Sequence, residues 1–166
     1  MTVESTWSKE FILDILSTVT DPEIPVLTVE DLGVIREINI SPENGVEVVI
    51  TPTYSGCPAM KTIEVNILAT LQEAGISPAQ VRTILAPPWT TDWISDAGRQ
   101  KLREYGIAPP VGSPDKGTLF SDAPSVDCPH CGSPHTEMIS QFGSTPCKSL
   151  YKCSDCLEPF DYFKCH

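Results

Sequence analysis

The first 127 residues contain no histidine; the three in the chain are His130, His135 and His166. A front half without imidazole is a poor host for Cys–His catalysis, in which the ring takes the proton of the nucleophile. Basic charge is also scarce. Lys and Arg total 11 against 22 Asp and Glu, for a formal net charge of -11 and a pI near 4.5. The basic residues form no cluster, and the tail has only Lys148, Lys152 and Lys164 as fixed cations. Such a surface repels a nucleic-acid duplex or an anionic membrane. Long apolar runs are missing too. Phe11-Ile12-Leu13 is cut by Asp14, and no stretch approaches the roughly 18 apolar residues needed to span a bilayer. The start of the chain lacks the basic end and apolar run of a secretory signal. The expectation is a cytoplasmic protein that binds neither nucleic acid nor membrane.

Sulfur is what the chain has. Six of its seven cysteines lie from Cys128 to Cys165, and the seventh, Cys57, stands alone in Tyr-Ser-Gly-Cys-Pro. Four of the six form two Cys-x-x-Cys pairs, Cys128-Pro-His-Cys131 and Cys153-Ser-Asp-Cys156. In a reducing compartment such pairs read as metal ligands before disulfides, and an odd total agrees. A two-residue gap lets both thiolates of a knuckle face one ion. The residues between the pairs can run out and back as a hairpin, so that four sulfurs complete a tetrahedron. Structural Zn2+ is the expected occupant, with iron also compatible with four thiolates. A tail of this size cannot build an adequate apolar core unaided, and metal binding supplies folding free energy of about 10–16 kcal/mol. Cys147 and Cys165 are left over. They read either as small buried hydrophobes or as a further metal or redox pair. His130, His135 and His166 could each replace a sulfur, although the four cysteines already fill a site.

Periodicity divides the rest. Residues 6–18 read as an amphipathic helix with Trp7, Phe11, Ile12, Ile15, Leu16 and Val19 inward, ended by Pro22 and Pro25. Residues 34–40 and 46–51 read as a hairpin about the Asn44-Gly45 turn signal. A second helix is expected from near Pro58, with Met60, Ile63, Ile67, Leu68 and Leu71 marking its buried face and Gly75 just past its end. Residues 79–85 suit a third strand. Thr90 or Thr91 is expected to cap a third helix carrying Trp93, Ile94, Ala97, Leu102 and Tyr105. The reading is an α+β domain over 1–106, a small mixed sheet with helices in the order α-β-β-α-β-α. A Pro/Gly-rich linker over 107–127 and a zinc-ribbon-like β module over 128–166 follow.

Cys57 precedes Pro58, a residue favoured at a helix start. Free N–H groups and the helix dipole there stabilise a thiolate, which suits a metal ligand or nucleophile. An ordinary cysteine before a helix fits the position equally well. Asp21 and Glu23 lie in a Pro-punctuated turn, where capping is the commoner role and metal ligation the sharper one. Thr51 and Thr53 lead into the Cys57 loop, and their hydroxyls suit either a thiolate or local backbone.

Asp21-Pro22-Glu23-Ile24-Pro25, Asp31-Leu32-Gly33 and Thr51-Pro52-Thr53-Tyr54-Ser55-Gly56-Cys57-Pro58 resemble the metal–sulfur cluster assembly family that includes SufT-like proteins, over roughly residues 8–105. With the tail motifs Cys-Pro-His-Cys-Gly-Ser, Phe-Gly-Ser-Thr-Pro-Cys-Lys-Ser-Leu-Tyr-Lys-Cys and Glu-Pro-Phe-Asp-Tyr-Phe-Lys-Cys, the whole chain resembles the PaaD family, the accessory D component of phenylacetyl-CoA 1,2-epoxidase systems. That resemblance implies an accessory role in aerobic phenylacetate breakdown, assisting an iron–sulfur or iron centre and not performing the epoxidation. It implies the epoxidase components as partners, the iron–sulfur reductase above all, and transient iron or a cluster at Cys57 with Asp21 and Glu23 as the acidic motif. It places Cys147 and Cys165 inside matching motifs, which favours a role for them. The alternative is a stoichiometric structural subunit of the oxygenase complex. Whether two copies share the Cys57 site stays open.

Overall fold

The computed structural model describes residues 7–54, 56–111 and 125–164. Ser55, Cys165, His166 and most of the expected linker lie outside the described residues. Cα packing divides the chain into two compact units, Met1–Ser95 and Asp96–His166.

The first unit opens with helix α1 (Lys9–Leu16), capped where the Ser8 hydroxyl accepts the Phe11 N–H at 3.1 Å. Helix α1 is shorter than the expected 6–18. The Ser17 and Thr18 hydroxyls turn back onto the carbonyls of Asp14 and Ile15, a local alternative to further helix. Its buried row is Ile12 and Leu16, with Val19 just beyond; Phe11, expected inward, is 46% exposed. One inward row suffices for so short a helix.

Strands β1 (Ile35–Ser41) and β2 (Gly45–Ile50) form the antiparallel hairpin. The loop is shorter than the expected gap of 41–45, because Ser41 and Gly45 themselves pair. Pro42, Glu43 and Asn44 make the turn, and Gly45 closes it at φ 73 opposite Ser41, the three-residue hairpin with a left-handed closing residue. Helix α2 (Ala59–Glu73) then crosses over to β3 (Ala79–Thr83), which runs parallel to β2, so the sheet order is β1-β2-β3. A parallel pair needs such a crossover. Ala59, Ile63, Ile67 and Leu71 form the buried row of α2, facing the same core as Val46, Val48 and Ile50 of β2. The far side of β2 carries Glu47 and the buried Val49. Glu47 takes bonds there from Asn39, Gln80 and Arg82.

The single third helix expected after Thr90 is broken. Thr91–Trp93 form a 3-10 turn, Ile94 is extended, and helix α3 (Asp96–Glu104) starts afresh. The cause is Asp31. Its carbonyl accepts the Ser95 N–H at 2.8 Å and its carboxylate accepts the Ser95 hydroxyl at 3.1 Å. The neighbouring Leu32 carbonyl accepts the indole N–H of Trp89 at 2.7 Å. These bonds hold residues 89–95 along the Asp31-Leu32-Gly33 turn and break the continuous helix.

The second unit is a sheet in the order β4-β7-β6-β5, from β4 (Ile107–Ala108), β5 (Thr136–Ser140), β6 (Lys148–Cys153) and β7 (Pro159–Phe163). The short strand β4 pairs parallel to β7 and contacts α3. This pairing carries α3 into the tail unit, so packing divides the chain earlier than the expected junction after residue 106. One face of the sheet buries Tyr151, Phe160, Tyr162, Ala108 and Val126 together with Cys128 and Cys153. On the other face Lys148, 5% exposed, lies 3.5 Å from Asp161. No helix among the described residues is long and apolar enough to cross a membrane.

Gly45 offers a direct test of the hairpin. A Cβ there would stand 1.9 Å from the Pro78 carbonyl oxygen, and the left-handed backbone alone costs a non-glycine residue about 1–3 kcal/mol. Gly45→Ala is expected to lower front-unit stability by at least that much. The midpoint of its urea transition reads the loss, and an unchanged midpoint would contradict the register described.

Candidate metal and thiol sites

The four paired cysteines converge. One sulfur from each of Cys128, Cys131, Cys153 and Cys156 lies within 4.8 Å of every other, and among the described residues no other such group of His, Cys, Asp or Glu occurs. Each pair sits on its own turn. In the first, the Gly132 N–H reaches the Cys128 carbonyl at 2.8 Å and the Cys128 N–H reaches the Ser133 carbonyl at 2.9 Å. In the second, the Cys153 N–H reaches the Glu158 carbonyl at 3.0 Å, and the Cys156 N–H points at the Cys153 sulfur at 3.5 Å. The residue after each second cysteine is left-handed, Gly132 at φ 77 and Leu157 at φ 66. Only the first turn uses glycine for this. Leu157 holds a conformation that ordinarily costs a side chain free energy.

The sulfurs fit a tetrahedral ion. Bonds of about 2.3 Å to one zinc place sulfurs about 3.8 Å apart, and the cross-pair separations are 3.7 Å for Cys128–Cys156 and 3.6 Å for Cys131–Cys153. Cys128 and Cys153 are buried, Cys156 is half-buried and Cys131 is exposed. The thiols do not share one proton affinity. The Cys156 backbone N–H draws Cys153 down from the ordinary thiol value. On Cys156 the Glu158 backbone pulls the same way, but desolvation and the neighbouring sulfurs outweigh it and push the thiol up. Packed thiols that cannot all ionise alone are what a dication resolves. With all four positions sulfur, Zn2+ here supplies shape and charge balance and has no open position for substrate.

Among the described residues, His130 and His135 are not ligands in this arrangement. His130 is exposed and meets the Phe160 ring edge-on at 6.5 Å between centroids. His135 turns its Nδ1 to Asp155 at 3.0 Å. Cys147 is buried away from the four sulfurs, with its Sγ 3.0 Å from the Thr145 hydroxyl. Cys165 and His166 lie outside the described residues.

In the front unit Cys57 is half-buried in the loop between β2 and α2. Its N–H reaches the Tyr54 carbonyl at 3.2 Å, its carbonyl accepts the Met60 N–H at 3.2 Å, and Pro58 occupies the N-cap of α2. Thr51 is 1% exposed, its N–H is bonded to Val34, and its buried hydroxyl has no hydrogen-bond partner. Thr53 is half-buried. Asp21, 8% exposed, uses Oδ1 to accept the N–H groups of Glu23 at 2.7 Å and Ile24 at 2.9 Å, which is the capping role. Among the described residues Cys57, Asp21 and Glu23 do not form a convergence like that of the tail.

Two groups of polar residues escaped the sequence reading. Asp31 and Ser95 pin the 89–95 segment, with Trp89 beside them. Their sequence signal is Thr28-Val-Glu-Asp31, where the Thr28 hydroxyl and the Asp31 carboxylate cap each other's backbone at 3.0 and 3.1 Å. The other group is Ser133, His135 and Asp155, whose signal is only their place inside or just after the cysteine pairs. The Ser133 hydroxyl and the His135 imidazole hold the Asp155 carboxyl below its usual range.

Comparison with known proteins agrees with both halves. Residues 9–75 match the family described as iron-sulfur cluster assembly protein, and residues 112–164 the PaaD zinc beta ribbon domain. A protein of Escherichia coli (strain K12) named as the D component of 1,2-phenylacetyl-CoA epoxidase is 50% identical over 151 residues, covering 91% of this chain and 89% of that one. An Fe-S protein maturation auxiliary factor of Porphyromonas gingivalis is 31% identical over 96 residues, 57% of this chain and 90% of its own. A crystal structure of a DUF59 domain from Bacillus anthracis shares the fold at a TM-score of 0.53 and 22% identity, over 57% of this chain and 90% of that one.

Because two ligands belong to the tail's apolar cluster, metal and core stand together. Stripping zinc with a chelator is expected to abolish the near-ultraviolet dichroism of Tyr151 and Tyr162 and open the tail to protease, while the front unit keeps its urea transition. Zinc near one per chain before treatment, measured by atomic emission, is part of the same expectation. A tail that stays protease-resistant without metal would refute it.

Proposed function

The chain belongs to the PaaD-like family, that of the E. coli epoxidase relative, and from that membership we propose that it matures the iron–sulfur or iron centre of a phenylacetyl-CoA epoxidase system. Its cargo is iron or an iron–sulfur cluster, its recipient the iron–sulfur reductase of that system, and Cys57 is the thiol that takes the cargo. The observation that carries this reading is the contrast between two sulfur environments. Four sulfurs are closed on one another, while Cys57 stands outside that group in a loop that ends at a helix N-terminus.

Cys57 leads directly into α2 through Pro58 at the N-cap. The buried Thr51 hydroxyl, at the start of the same loop, is a polar atom for which a bound group would supply a partner. Asp21 shapes the adjoining acidic turn, and Glu23 and Thr53 are the remaining candidates for contact with cargo. One protein thiolate leaves the other coordination positions of an iron ion to exchangeable ligands or a second copy of the chain, so release to a recipient needs only ligand exchange. No oxidation or bond cleavage in the protein is required. In this reading the front domain handles cargo and the zinc ribbon docks the recipient. A homodimer would bring two Cys57 thiols to one cargo, and the mass in solution with and without iron tests that point.

The name of the E. coli relative supports a second reading, a stoichiometric structural subunit. Co-purification at fixed ratio with the active complex would favour it. Full epoxidation by pre-matured components lacking this chain would eliminate it.

Cys57→Ser is expected to keep zinc near one per chain and the wild-type urea transition, yet to lose the support of cluster insertion into the apo-reductase. Anaerobic metal and sulfide analysis with reductase reconstitution reads both. Normal maturation by the variant would remove Cys57 from the mechanism.

A further inference from the structure

We infer that a hydrogen-bond clasp centred on Asp155 ties the two cysteine turns together and slows the escape of metal from the four-sulfur site. Asp155 lies inside the second pair, Cys153-Ser-Asp-Cys156, and its Oδ2 accepts the hydroxyl of Ser133, which follows the first pair. The same oxygen lies 3.0 Å from His135 Nδ1. The gap between the turns is crossed a third time where the Ser154 N–H donates to the His135 carbonyl at 2.8 Å. Within the first turn, the His135 N–H donates to Ser133 Oγ at 3.0 Å.

Both ends of the clasp also touch the ligands. On the second turn Asp155 lies between Cys153 and Cys156 in the chain, and the Cys156 N–H points at the Cys153 sulfur at 3.5 Å. The Ser133 carbonyl accepts the Cys128 N–H at 2.9 Å. The side-chain bond between Ser133 and Asp155 therefore joins the residue that accepts the Cys128 N–H to the turn that carries Cys153 and Cys156. Groups that orient ligands in this way typically change metal affinity 10–100-fold when removed.

The geometry also says what the cluster is not. Asp155 stands between Ser133 and His135, so the imidazole takes no proton from the serine, and the three do not form a nucleophile–base pair. The cluster instead flanks Cys131, the exposed ligand, which a competing chelator or thiol reaches first. Loss of metal requires the two turns to part, and the clasp spans that seam. Asp155 and His135 are 54% and 72% exposed, so each bond alone is weak. Three at one joint restrain it together.

Zinc-loaded full-length protein, challenged with excess chromophoric chelator, tests the clasp by its release rate. Asp155→Ala and Ser133→Ala are each expected to release zinc on the order of tenfold faster, and the double variant no faster than the quicker single. Ser133→Thr, which retains the hydroxyl, is expected to keep the wild-type rate, as is Glu137→Ala outside the clasp. Cobalt-substituted Ser133→Ala is expected to show shifted ligand-field bands. That readout, with the threonine rescue, decides the matter even if Asp155→Ala fails to fold. Wild-type release and wild-type cobalt bands in Ser133→Ala would overturn the inference. Effects of the two single variants that multiply in the double would overturn it too.

Discussion

Convergence of four sulfurs from two distant chain segments is the constraint on which the tail unit depends. Its sheet offers one apolar face of modest size, and Tyr151 carries much of it, stacked on Phe160 at 5.8 Å and edge-on to Tyr162 at 5.4 Å. Two of the metal ligands, Cys128 and Cys153, are members of that same cluster. The ribbon's core thus continues into its metal site. A small sheet of this kind buries too little to offset the entropy of ordering its chain, and a dication held by four thiolates supplies the difference.

The front unit solves the same problem without metal. Its helices carry buried rows of Ile and Leu, with α1 against α2 and α2 against β3, and β2 is buried along most of its length. What aliphatic packing cannot do is fix the two long loops. That task falls to carboxylates held out of water and satisfied by backbone N–H groups and hydroxyls. Asp21 shapes the turn of 21–24 and Asp31 anchors residues 89–95. Buried acids with satisfied acceptors make unique loop positions, because any other arrangement leaves a costly unpaired oxygen. In a chain of net charge -11 these buried acids do architectural work, and acidity alone does not point to a metal.

The sequence signals that proved legible were those with a short physical range. Helix α2 followed from the row Met60, Ile63, Ile67, Leu68 and Leu71, of which Ile63, Ile67 and Leu71 are buried and Met60 and Leu68 half-buried; the hairpin followed from its turn residues, and the four-sulfur site from two fixed gaps of two residues. Failures came where distant residues decide. Nothing local in Thr91 to Leu102 foretells the break at Ile94 and Ser95, because its cause is Asp31, far upstream. Strand β4 escaped notice because two residues, Ile107 and Ala108, become a strand only when β7 lies beside them. Inside the sites the limit is the same. Cys-x-x-Cys spacing gives ligands, but the partnership of Ser133 with Asp155 appears only once the turns are brought together.

The two sulfur environments differ in what they allow. The ribbon sulfurs face one another, two of them buried and one half-buried, and the Asp155 cluster lies beside the exposed one. Metal held that way exchanges slowly and keeps its ligands, which suits scaffold and excludes cargo. Cys57 has the opposite set of properties. It is half-buried, it precedes a helix start, and it lies in a loop with a buried threonine hydroxyl still unsatisfied. A carrier must bind well enough to load and loosely enough to release, and a single thiolate with exchangeable co-ligands meets both demands where four fixed thiolates meet only the first. A structural zinc and a transient iron can therefore occupy one chain without exchanging places, because selection lies in the number and fixity of the sulfurs each site presents and not in the identity of the donor atom.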